Sequence, residues 1–165
     1  MTAGAGDAVR AAVITASDRA ASGERPDATG PELIARLAAA GYACDAAIVI
    51  PDGEESVADA LRAALDSGAR LVVTTGGTGV GPRDRTPEGT RPVLERELPG
   101  IPELLRREGA ESTPFAVLTR GIAGVTGEAL IVNLPGSTRG AIEGLGALLP
   151  LVPHVLDQLR GGDHR

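Results

Sequence analysis

The amino-acid sequence predicts an α/β protein in which helices cover both faces of a parallel or mixed β-sheet. Two patterns lead to this prediction. Short apolar runs rich in β-branched residues alternate along the chain with stretches whose apolar residues recur at helical spacing. The predicted strands are apolar throughout, which is typical of strands that are buried on both faces. The 165 residues are about the length of one ordinary domain, so we expect a single domain over residues 1–165.

Strands and helices are predicted in alternation along most of the chain. The predicted strands cover residues 11–16, 46–50, 71–75 and 129–133. The predicted helices cover residues 31–41, 57–68, 87–97, 102–108 and 138–159. Pro31 and Gly41 mark the start and the end of the first helix, and Pro150 interrupts the last one. The two ends of the chain, at about 1–8 and 161–165, are expected to fray.

The composition excludes several classes of function. Lys and Arg total 16 against 22 Asp and Glu, and the resulting net charge of −6 argues against a nucleic-acid-binding surface. Tyr42 and Phe115 are the only aromatic residues, which are too few to build a stacking platform for single-stranded nucleic acid. The sequence contains no Lys, so chemistry that needs a P-loop, Schiff-base or general-base Lys is excluded.

Cysteines, histidines and targeting signals are equally scarce. Cys44 is the only cysteine, which excludes an intramolecular disulfide and a cysteine-based metal site, and two histidines are too few for a histidine-rich one. Residues 1–10 lack the basic and apolar regions of a signal peptide. Residues 141–159 form the most apolar stretch, but charged residues and prolines interrupt it. We therefore expect a cytoplasmic protein that binds neither nucleic acid nor a membrane.

Polar, glycine-rich segments follow all four predicted strands. In order, they are Ser17-Asp18-Arg19, Pro51-Asp52-Gly53, Gly76-Gly77-Thr78-Gly79 and Asn133-Leu134-Pro135-Gly136-Ser137. A further polar run from Pro82 to Glu88 follows the third segment and contains Arg83 and Asp84. Because ligands of open parallel sheets bind at the carboxyl ends of the strands, we expect these segments to form one site.

Each segment has a structural and a functional interpretation. The glycines at 76–79 either make a tight turn or bring backbone N–H groups close to an anion. Asp52 and Asp84 either cap helices or form ion pairs, or they hold Mg²⁺ on a nucleoside triphosphate with Arg83 nearby for phosphate. Ser137 or Thr138 caps the last helix, in a geometry that also binds anions. The residues alone leave these alternatives open.

Taken together, the motifs resemble the MogA/MoaB family of molybdenum-cofactor proteins, the molybdopterin adenylyltransferases. The resemblance covers nearly the whole chain, from about Ala11 to Leu159. It also rests on Ser22-Gly23, on Asp27-Ala28-Thr29-Gly30-Pro31 and on Thr86-Pro87-Glu88. Because so many motifs occur in order and at strand ends, the resemblance is highly specific.

This resemblance implies a three-layer α/β/α sandwich of the molybdopterin-binding type and a Mg²⁺-dependent enzyme. In the implied reaction, the terminal phosphate of molybdopterin attacks the α-phosphate of ATP, which yields adenylylated molybdopterin and pyrophosphate. Asp52 and Asp84 are the implied catalytic and metal-binding residues. The implied substrate-binding residues are Ser17, Asp18, Arg19, Thr75, Gly76, Gly77, Thr78, Gly79, Arg83, Asn133, Pro135, Gly136 and Ser137. A homotrimer, and contacts with other molybdenum-cofactor enzymes, are implied as well.

The sequence departs from the family pattern at three places. Val80-Gly81 replaces a common Phe-Thr, Thr29 stands where Ser is common, and Glu128 lies in a region where Lys is common. Gly81 is expected to make the loop that carries Asp84 more flexible. Glu128 removes a positive charge.

Two alternative functions are compatible with the same fold. The first is a molybdopterin-binding or carrier module without catalytic activity, and the presence of Asp84 favours the enzyme over this module. The second is a related competence/damage-type or nucleotide-hydrolase domain. Those domains usually carry Gly-Gly-Leu-Gly and an Asp-Asp pair, whereas this chain has Thr78 and Arg83-Asp84.

Overall fold

The structure, a computed structural model, describes residues 7–162. Its strands are β1 (Arg10–Ala16), β2 (Ala43–Cys44), β3 (Ile48–Ile50), β4 (Leu71–Thr75), β5 (Arg96–Glu97), β6 (Ala123–Thr126) and β7 (Ala129–Leu134). They form one sheet in the order β2-β1-β4-β7-β6-β5, with β3 also paired to β1. The pairs among β1, β2, β3, β4 and β7 are parallel, whereas β6 pairs antiparallel with β5 and β7. The predicted α/β class with a mostly parallel sheet is confirmed.

Helices lie between most of these strands, but β2 and β3, and β6 and β7, follow each other without one. The helices of the described residues are α1 (Asp18–Ala21), α2 (Thr29–Ala39), α3 (Glu54–Asp66), α4 (Thr86–Thr90), α5 (Gly100–Ser112), α6 (Thr138–Leu148) and α7 (Val152–Leu159). Short 3₁₀ turns follow α4, α5 and α6, at 91–93, 114–118 and 149–151. The last of these turns contains Pro150, so the predicted interruption of the final helix is confirmed.

Two apolar cores lie on the two faces of the sheet, because successive strand residues point to opposite faces. On one face, Val13 and Val132 belong to a core shared with α2, α5, α6 and α7. On the other face, Ile14 and Ile131 pack with α3, whose Leu61 is fully buried. The result is the three-layer α/β/α sandwich that the resemblance implies.

The helix predicted over 87–97 is wrong beyond residue 93. Helix α4 spans only 86–90, and after the following 3₁₀ turn Leu94 is extended and leads into β5. Pro92 has no backbone N–H to donate, which prevents a longer α-helix here. Strand β6 occupies residues 123–126, where the sequence predicts no strand. It is missed because four residues that include a glycine give too short a pattern to recognise.

The strand predicted over 46–50 lies at the edge of the sheet and is only partly buried. Strand β2 pairs with the start of β1, and β3 pairs with its end. Ile48 and Val49 of β3 are 39% and 37% exposed. An apolar run therefore does not by itself indicate a strand that is covered on both faces.

The register of the parallel strands brings four strand ends to one edge of the sheet. Ala16 pairs with Ile50, Thr15 with Thr75, and Thr75 with Leu134. The polar segments that follow β1, β3, β4 and β7 therefore begin side by side, as expected from the sequence.

The frayed ends predicted at 1–8 and 161–165 lie largely outside the described residues, which exclude 1–6 and 163–165. Asp7 and Ala8 are exposed. The backbone N–H groups of Gly161 and Gly162 donate hydrogen bonds to carbonyls of α7 at 2.9 and 3.0 Å. Between residues 7 and 162, no helix is both long and apolar enough to cross a membrane.

Candidate active site

A polar cavity of about 560 Å³ opens at the edge of the sheet where β1, β3, β4 and β7 end. The loop that leads into α2 completes its wall. The lining residues are Thr15, Ala16, Ser17, Ala20, Arg25, Pro26, Asp27, Ala28, Thr29, Asp52, Thr75, Gly76, Gly77, Asp84, Gly136, Ser137 and Thr138. The volume is typical of small-molecule sites. A second cavity of about 240 Å³ beside α5 and α6 is mostly apolar and contains neither Asp52 nor Asp84.

Gly76 and Gly77 form the turn after β4, where a side chain does not fit. Both have positive φ, at +91° and +67°. A Cβ on Gly76 would lie 2.2 Å from the carbonyl oxygen of Ala16, and a Cβ on Gly77 would lie 2.2 Å from Oγ1 of Thr86. Thr86 holds the turn, because its Oγ1 donates to the Gly76 carbonyl at 2.8 Å and its N–H donates to the Gly77 carbonyl at 3.0 Å. The glycines therefore allow the turn to pack directly on β1.

Asp18 and Asp52 join the ends of β1 and β3 through two reciprocal hydrogen bonds. The N–H of Asp18 donates to Oδ2 of Asp52 at 3.1 Å, and the N–H of Asp52 donates to Oδ1 of Asp18 at 3.0 Å. Arg83 adds the loop after β4 to this cluster. It donates to both carboxylate oxygens of Asp18, at 3.1 and 3.2 Å, and to the Asp52 carbonyl at 3.0 Å.

The two carboxyl groups of this cluster have pKa values shifted in opposite directions. The hydrogen bonds from Arg83 hold the pKa of Asp18 below its usual value, because they stabilise the ionised form. Burial raises the pKa of Asp52, and the negative charges of Asp18 and Asp84 raise it further. The hydrogen bond from the Asp18 N–H and the positive charge of Arg83 lower it, but the net shift is upward. Ionised Asp52 therefore has an electrostatic cost that a bound cation would relieve.

Asp84 belongs to the loop between Gly79 and Thr86. Its Oδ2 accepts a hydrogen bond from the N–H of Gly81 at 2.9 Å, and its own N–H donates to the Gly81 carbonyl at 3.1 Å. A Cβ on either Gly79 or Gly81 would lie 2.9 Å from this oxygen, so the glycines leave room for the carboxylate. The cavity thus holds Asp52 and Asp84, which come from two different strand ends.

The start of α6 contributes Ser137 and Thr138 to the cavity wall. Ser137 caps the helix, since its Oγ accepts a hydrogen bond from the N–H of Gly140 at 3.2 Å. Oγ1 of Thr75 donates to the Pro135 carbonyl at 2.7 Å, which ties the end of β4 to the turn before α6. The capping role predicted for Ser137 is present, and it places the positive end of the helix dipole at the cavity.

Comparison with known proteins identifies the family. A family model described as "Probable molybdopterin binding domain" matches residues 12–154 of this chain. The chain belongs to that family. Its relatives include proteins named Mog and MoaB, so the resemblance to the MogA/MoaB family is confirmed.

Individual members of the MogA/MoaB family match most of the chain. The molybdopterin adenylyltransferase of Pyrococcus furiosus is 42% identical over 153 residues, which are 90% of this chain and 89% of the relative. The structure of the molybdopterin biosynthesis enzyme MoaB from Thermus thermophilus has a TM-score of 0.86 at 44% identity, and the match covers 95% of this chain and 99% of that one.

Some relatives are much longer than this chain. A molybdenum cofactor biosynthesis bifunctional protein of Synechococcus elongatus is 38% identical over 156 residues, which are 94% of this chain and 49% of the relative. The chain therefore spans about half the length of the curated relatives that it matches first, or less.

The structure brings many residues of the MogA/MoaB motifs together. The predicted site residues in the cavity wall are Ser17, Asp52, Thr75, Gly76, Gly77, Asp84, Gly136 and Ser137. Asp18 and Arg83 lie beside the wall through their contacts with Asp52. The predicted residues outside the lining are Arg19, Thr78, Gly79, Asn133 and Pro135.

The side-chain amide of Asn133 links β7 to β4 and α4 in the interior of this MogA/MoaB family member. The residue is 3% exposed, its Nδ2 donates to the hydroxyls of Thr74 and Thr90 at 3.0 Å each, and its Oδ1 accepts from the N–H of Ile122 at 3.1 Å. Thr78 is also buried. The position of these residues next to strand ends is as predicted, but their side chains do not line the polar cavity.

Several residues that line the cavity are not among the predicted site residues. Asp27 is the clearest example: its Oδ1 accepts from the N–H of Gly30 at 3.0 Å, and its Oδ2 accepts from Oγ1 of Thr15 at 2.9 Å. Arg25 lies in the same loop, Thr29 begins α2, and both line the cavity. The signal was available, because Asp27 begins one of the motifs that resemble the MogA/MoaB family.

Proposed function

We propose that this chain is a molybdopterin adenylyltransferase of molybdenum cofactor biosynthesis, which transfers AMP from ATP to the terminal phosphate of molybdopterin. One observation carries the proposal: Asp52 and Asp84 share a 560 Å³ polar cavity with the Gly76-Gly77 turn and the start of α6. The name of the Pyrococcus furiosus relative supports this activity.

The proposed reaction needs no nucleophile from the protein. An oxygen of the terminal phosphate of molybdopterin attacks the α-phosphorus of ATP, and the bond from this phosphorus to the oxygen that bridges to the β-phosphate breaks. The electron pair of that bond leaves with pyrophosphate. Such transfers depend on positioning and on charge neutralisation, so the lack of Lys and the scarcity of Cys and His are no obstacle.

The protein's own positive groups would bind the anionic substrates. The start of α6 at Ser137 and Thr138 offers the positive end of a helix dipole, which stabilises phosphate oxygens. Arg25 lines the same cavity. Arg83 lies beside it with its side chain 65% exposed, where its guanidinium can reach a triphosphate.

Asp52 and Asp84 fit the requirements of Mg²⁺, which binds through one or two carboxylates and completes its octahedron with water and substrate phosphates. The raised pKa of Asp52 reflects first the burial of its carboxyl group and then the nearby negative charges of Asp18 and Asp84. Within residues 7–162, no group of three or more His, Cys, Asp or Glu side chains is arranged to hold a metal ion. When bound, Mg²⁺ would neutralise the triphosphate and increase the electrophilicity of the α-phosphorus.

The proposal is tested by following pyrophosphate release from ATP with molybdopterin and Mg²⁺ present together. Replacing Asp84 with Asn is expected to lower kcat by about 100-fold or more, because a charge that organises the reacting phosphates is lost. The fold should persist, since the Asn side chain retains an oxygen that accepts from the N–H of Gly81.

The matched control is Asp59→Asn, which changes an 80% exposed carboxylate on α3 outside the cavity. This variant is expected to release pyrophosphate at the wild-type rate. Wild-type turnover by Asp84→Asn would contradict the proposed role of Asp84. Tight binding of molybdopterin without pyrophosphate release in the wild type would instead identify a carrier module.

A further inference from the structure

Arg120 contacts both ends of the loop that carries Asp84. This loop, residues 78–84, is called the Asp84 loop below. The N–H of Arg120 donates to the Thr78 carbonyl at 2.8 Å. Its side-chain Nε donates to the Gly79 carbonyl at 2.8 Å, and Nη2 donates to the Asp84 carbonyl at 2.9 Å. A residue distant in sequence thus holds the loop where it begins and where it ends.

Apart from Arg120, the Asp84 loop is held by the Arg83 side chain, which donates to the Asp18 carboxylate and the Asp52 carbonyl, and by a few hydrogen bonds of its own. Its internal hydrogen bonds join Gly81 and Asp84, one between backbone groups and one to the Asp84 carboxylate. Val80 is 78% exposed and packs on no core. Gly81 adds conformational freedom, which the sequence predicts to loosen the loop. The contacts from Arg120 oppose that freedom.

Glu88 of α4 fixes the orientation of the guanidinium. Nη1 of Arg120 forms a hydrogen-bonded ion pair with Oε1 of Glu88. Burial acts to raise the pKa of Glu88, but the hydrogen bond and charge of Arg120, together with a backbone hydrogen bond, hold that pKa below its usual value. The carboxylate is therefore ionised at neutral pH and holds the guanidinium against the two loop carbonyls.

We propose that Arg120 is a positioning residue for adenylyl transfer, because its contacts with the Gly79 and Asp84 carbonyls set the place of the Asp84 carboxylate. The inference rests on the proposed function. Arg120 is not among the residues that line the cavity, so it acts through Asp84 and not on the substrate.

The role requires the shape of Arg and not only its charge. The guanidinium presents donors in one plane to three acceptors, on Gly79, Asp84 and Glu88. A Lys ammonium at this place could keep the ion pair with Glu88, but it could not bridge both carbonyls as well. Arg120→Lys should therefore preserve the charge and lose the positioning.

The first experiment measures the loop without reference to activity. Hydrogen–deuterium exchange of the amides of Gly81 and Asp84 is compared between the wild type, Arg120→Lys and Arg70→Ala. Arg70 is the matched control, because it also donates to two backbone carbonyls and pairs with a glutamate, but at the opposite end of β4. Exchange in the loop is expected to accelerate by about tenfold in Arg120→Lys and to stay unchanged in Arg70→Ala.

The second experiment measures pyrophosphate release as a function of Mg²⁺ concentration. In Arg120→Lys, the concentration of Mg²⁺ for half-maximal rate is expected to rise by about tenfold, because Asp84 is less well placed. The KM for molybdopterin should change little, since Arg120 does not line the cavity. Arg70→Ala should keep the wild-type dependence on Mg²⁺.

The outcomes separate this inference from the proposed function. If the wild type releases no pyrophosphate at any Mg²⁺ concentration, the proposed function fails while the exchange experiment still tests the hold on the loop. Wild-type exchange and Mg²⁺ dependence in Arg120→Lys would overturn the positioning role. Equal effects of Arg120→Lys and Arg70→Ala would overturn it as well, because they would indicate a general loss of stability.

Discussion

At the scale of single residues, the carboxyl group of Asp52 lies where its ionised form lowers the stability of the folded protein but would bind a cation. Burial and the charges of Asp18 and Asp84 raise its pKa, while the Asp18 N–H and Arg83 counteract only part of that effect. The ionised group is the one that would hold a cation, yet the surroundings disfavour it when no cation is bound. A residue selected only for stability at this position would carry no charge.

Replacing Asp52 with Asn is therefore expected to stabilise the folded protein at neutral pH. The folded pKa lies above the ordinary value of 3.8, so the folded state loses stability relative to the unfolded chain as the pH rises through this range. Melting temperatures of the wild type and the variant should agree well below that range, and the variant's should be higher at neutral pH. A variant that melts below the wild type at neutral pH, while Asp59→Asn stays unchanged, would contradict the raised pKa.

The sequence predicts which residues lie near the site better than it predicts where their side chains point. Asp52 and Asp84 both reach the cavity as expected, because each follows a parallel strand. Asn133 also lies near a strand end, but its amide is used by Thr74, Thr90 and Ile122 inside the protein. The partners of Asn133 come from three separate parts of the chain, and a single sequence contains no signal for such contacts.

At the scale of elements, the turn after β4 depends on Gly76 for two separable reasons. Its φ of +91° disfavours any residue with a Cβ, and that Cβ would also meet the Ala16 carbonyl oxygen at 2.2 Å. Gly41, after α2, has nearly the same φ of +94° but nothing within 4 Å of its Cβ position. The two glycines therefore share the same backbone strain but differ in the steric contact that a Cβ would make.

Replacing each of these glycines with Ala separates the two effects. Gly41→Ala is expected to lower the free energy of unfolding by about 1 kcal/mol through backbone strain alone. Gly76→Ala should cost about 1–3 kcal/mol more, because β1 and β4 must shift to admit the methyl group. Urea denaturation of both variants measures the difference, and equal losses of stability would show that the contact with Ala16 is not restrictive.

The elements that the sequence predicts least well are those with the shortest patterns. Strands β1, β4 and β7 follow continuous apolar runs, the helices α2, α3 and α6 follow apolar residues at helical spacing, and all six are found where expected. Strands β5 and β6 have two and four residues, and tertiary pairing determines them more than local preference does. The helix predicted over 87–97 ends early because Pro92 lacks a backbone N–H, and Arg96 and Glu97 beyond it pair with β6 instead.

At the scale of the whole molecule, the strand order determines the site. The sequence predicts parallel or mixed strands with polar ends, but it does not contain the order β2-β1-β4-β7 that places those ends side by side. Packing between elements that are far apart in the chain determines which strands lie next to each other. The prediction of one common site uses the general rule that ligands of parallel sheets bind at the carboxyl ends of the strands. The strand order determines which residues lie at that site.

We expect the protein to assemble as a homotrimer, as the family resemblance implies. One chain has a mass of 16.6 kDa, so light scattering during gel filtration should give a particle of three times that mass. The measurement is made over a range of protein concentrations to exclude dissociation by dilution. A constant mass of 16.6 kDa would contradict the expected assembly.

The most direct test of the central claim follows the α-phosphate of ATP. The protein is incubated with molybdopterin, Mg²⁺ and ATP labelled at the α-phosphate, and the products are separated. We expect the label to appear on molybdopterin with one unlabelled pyrophosphate for each transfer, and to remain in ATP with Asp84→Asn. Label found only in free nucleotides, with molybdopterin bound but unmodified, would contradict adenylyl transfer by this chain.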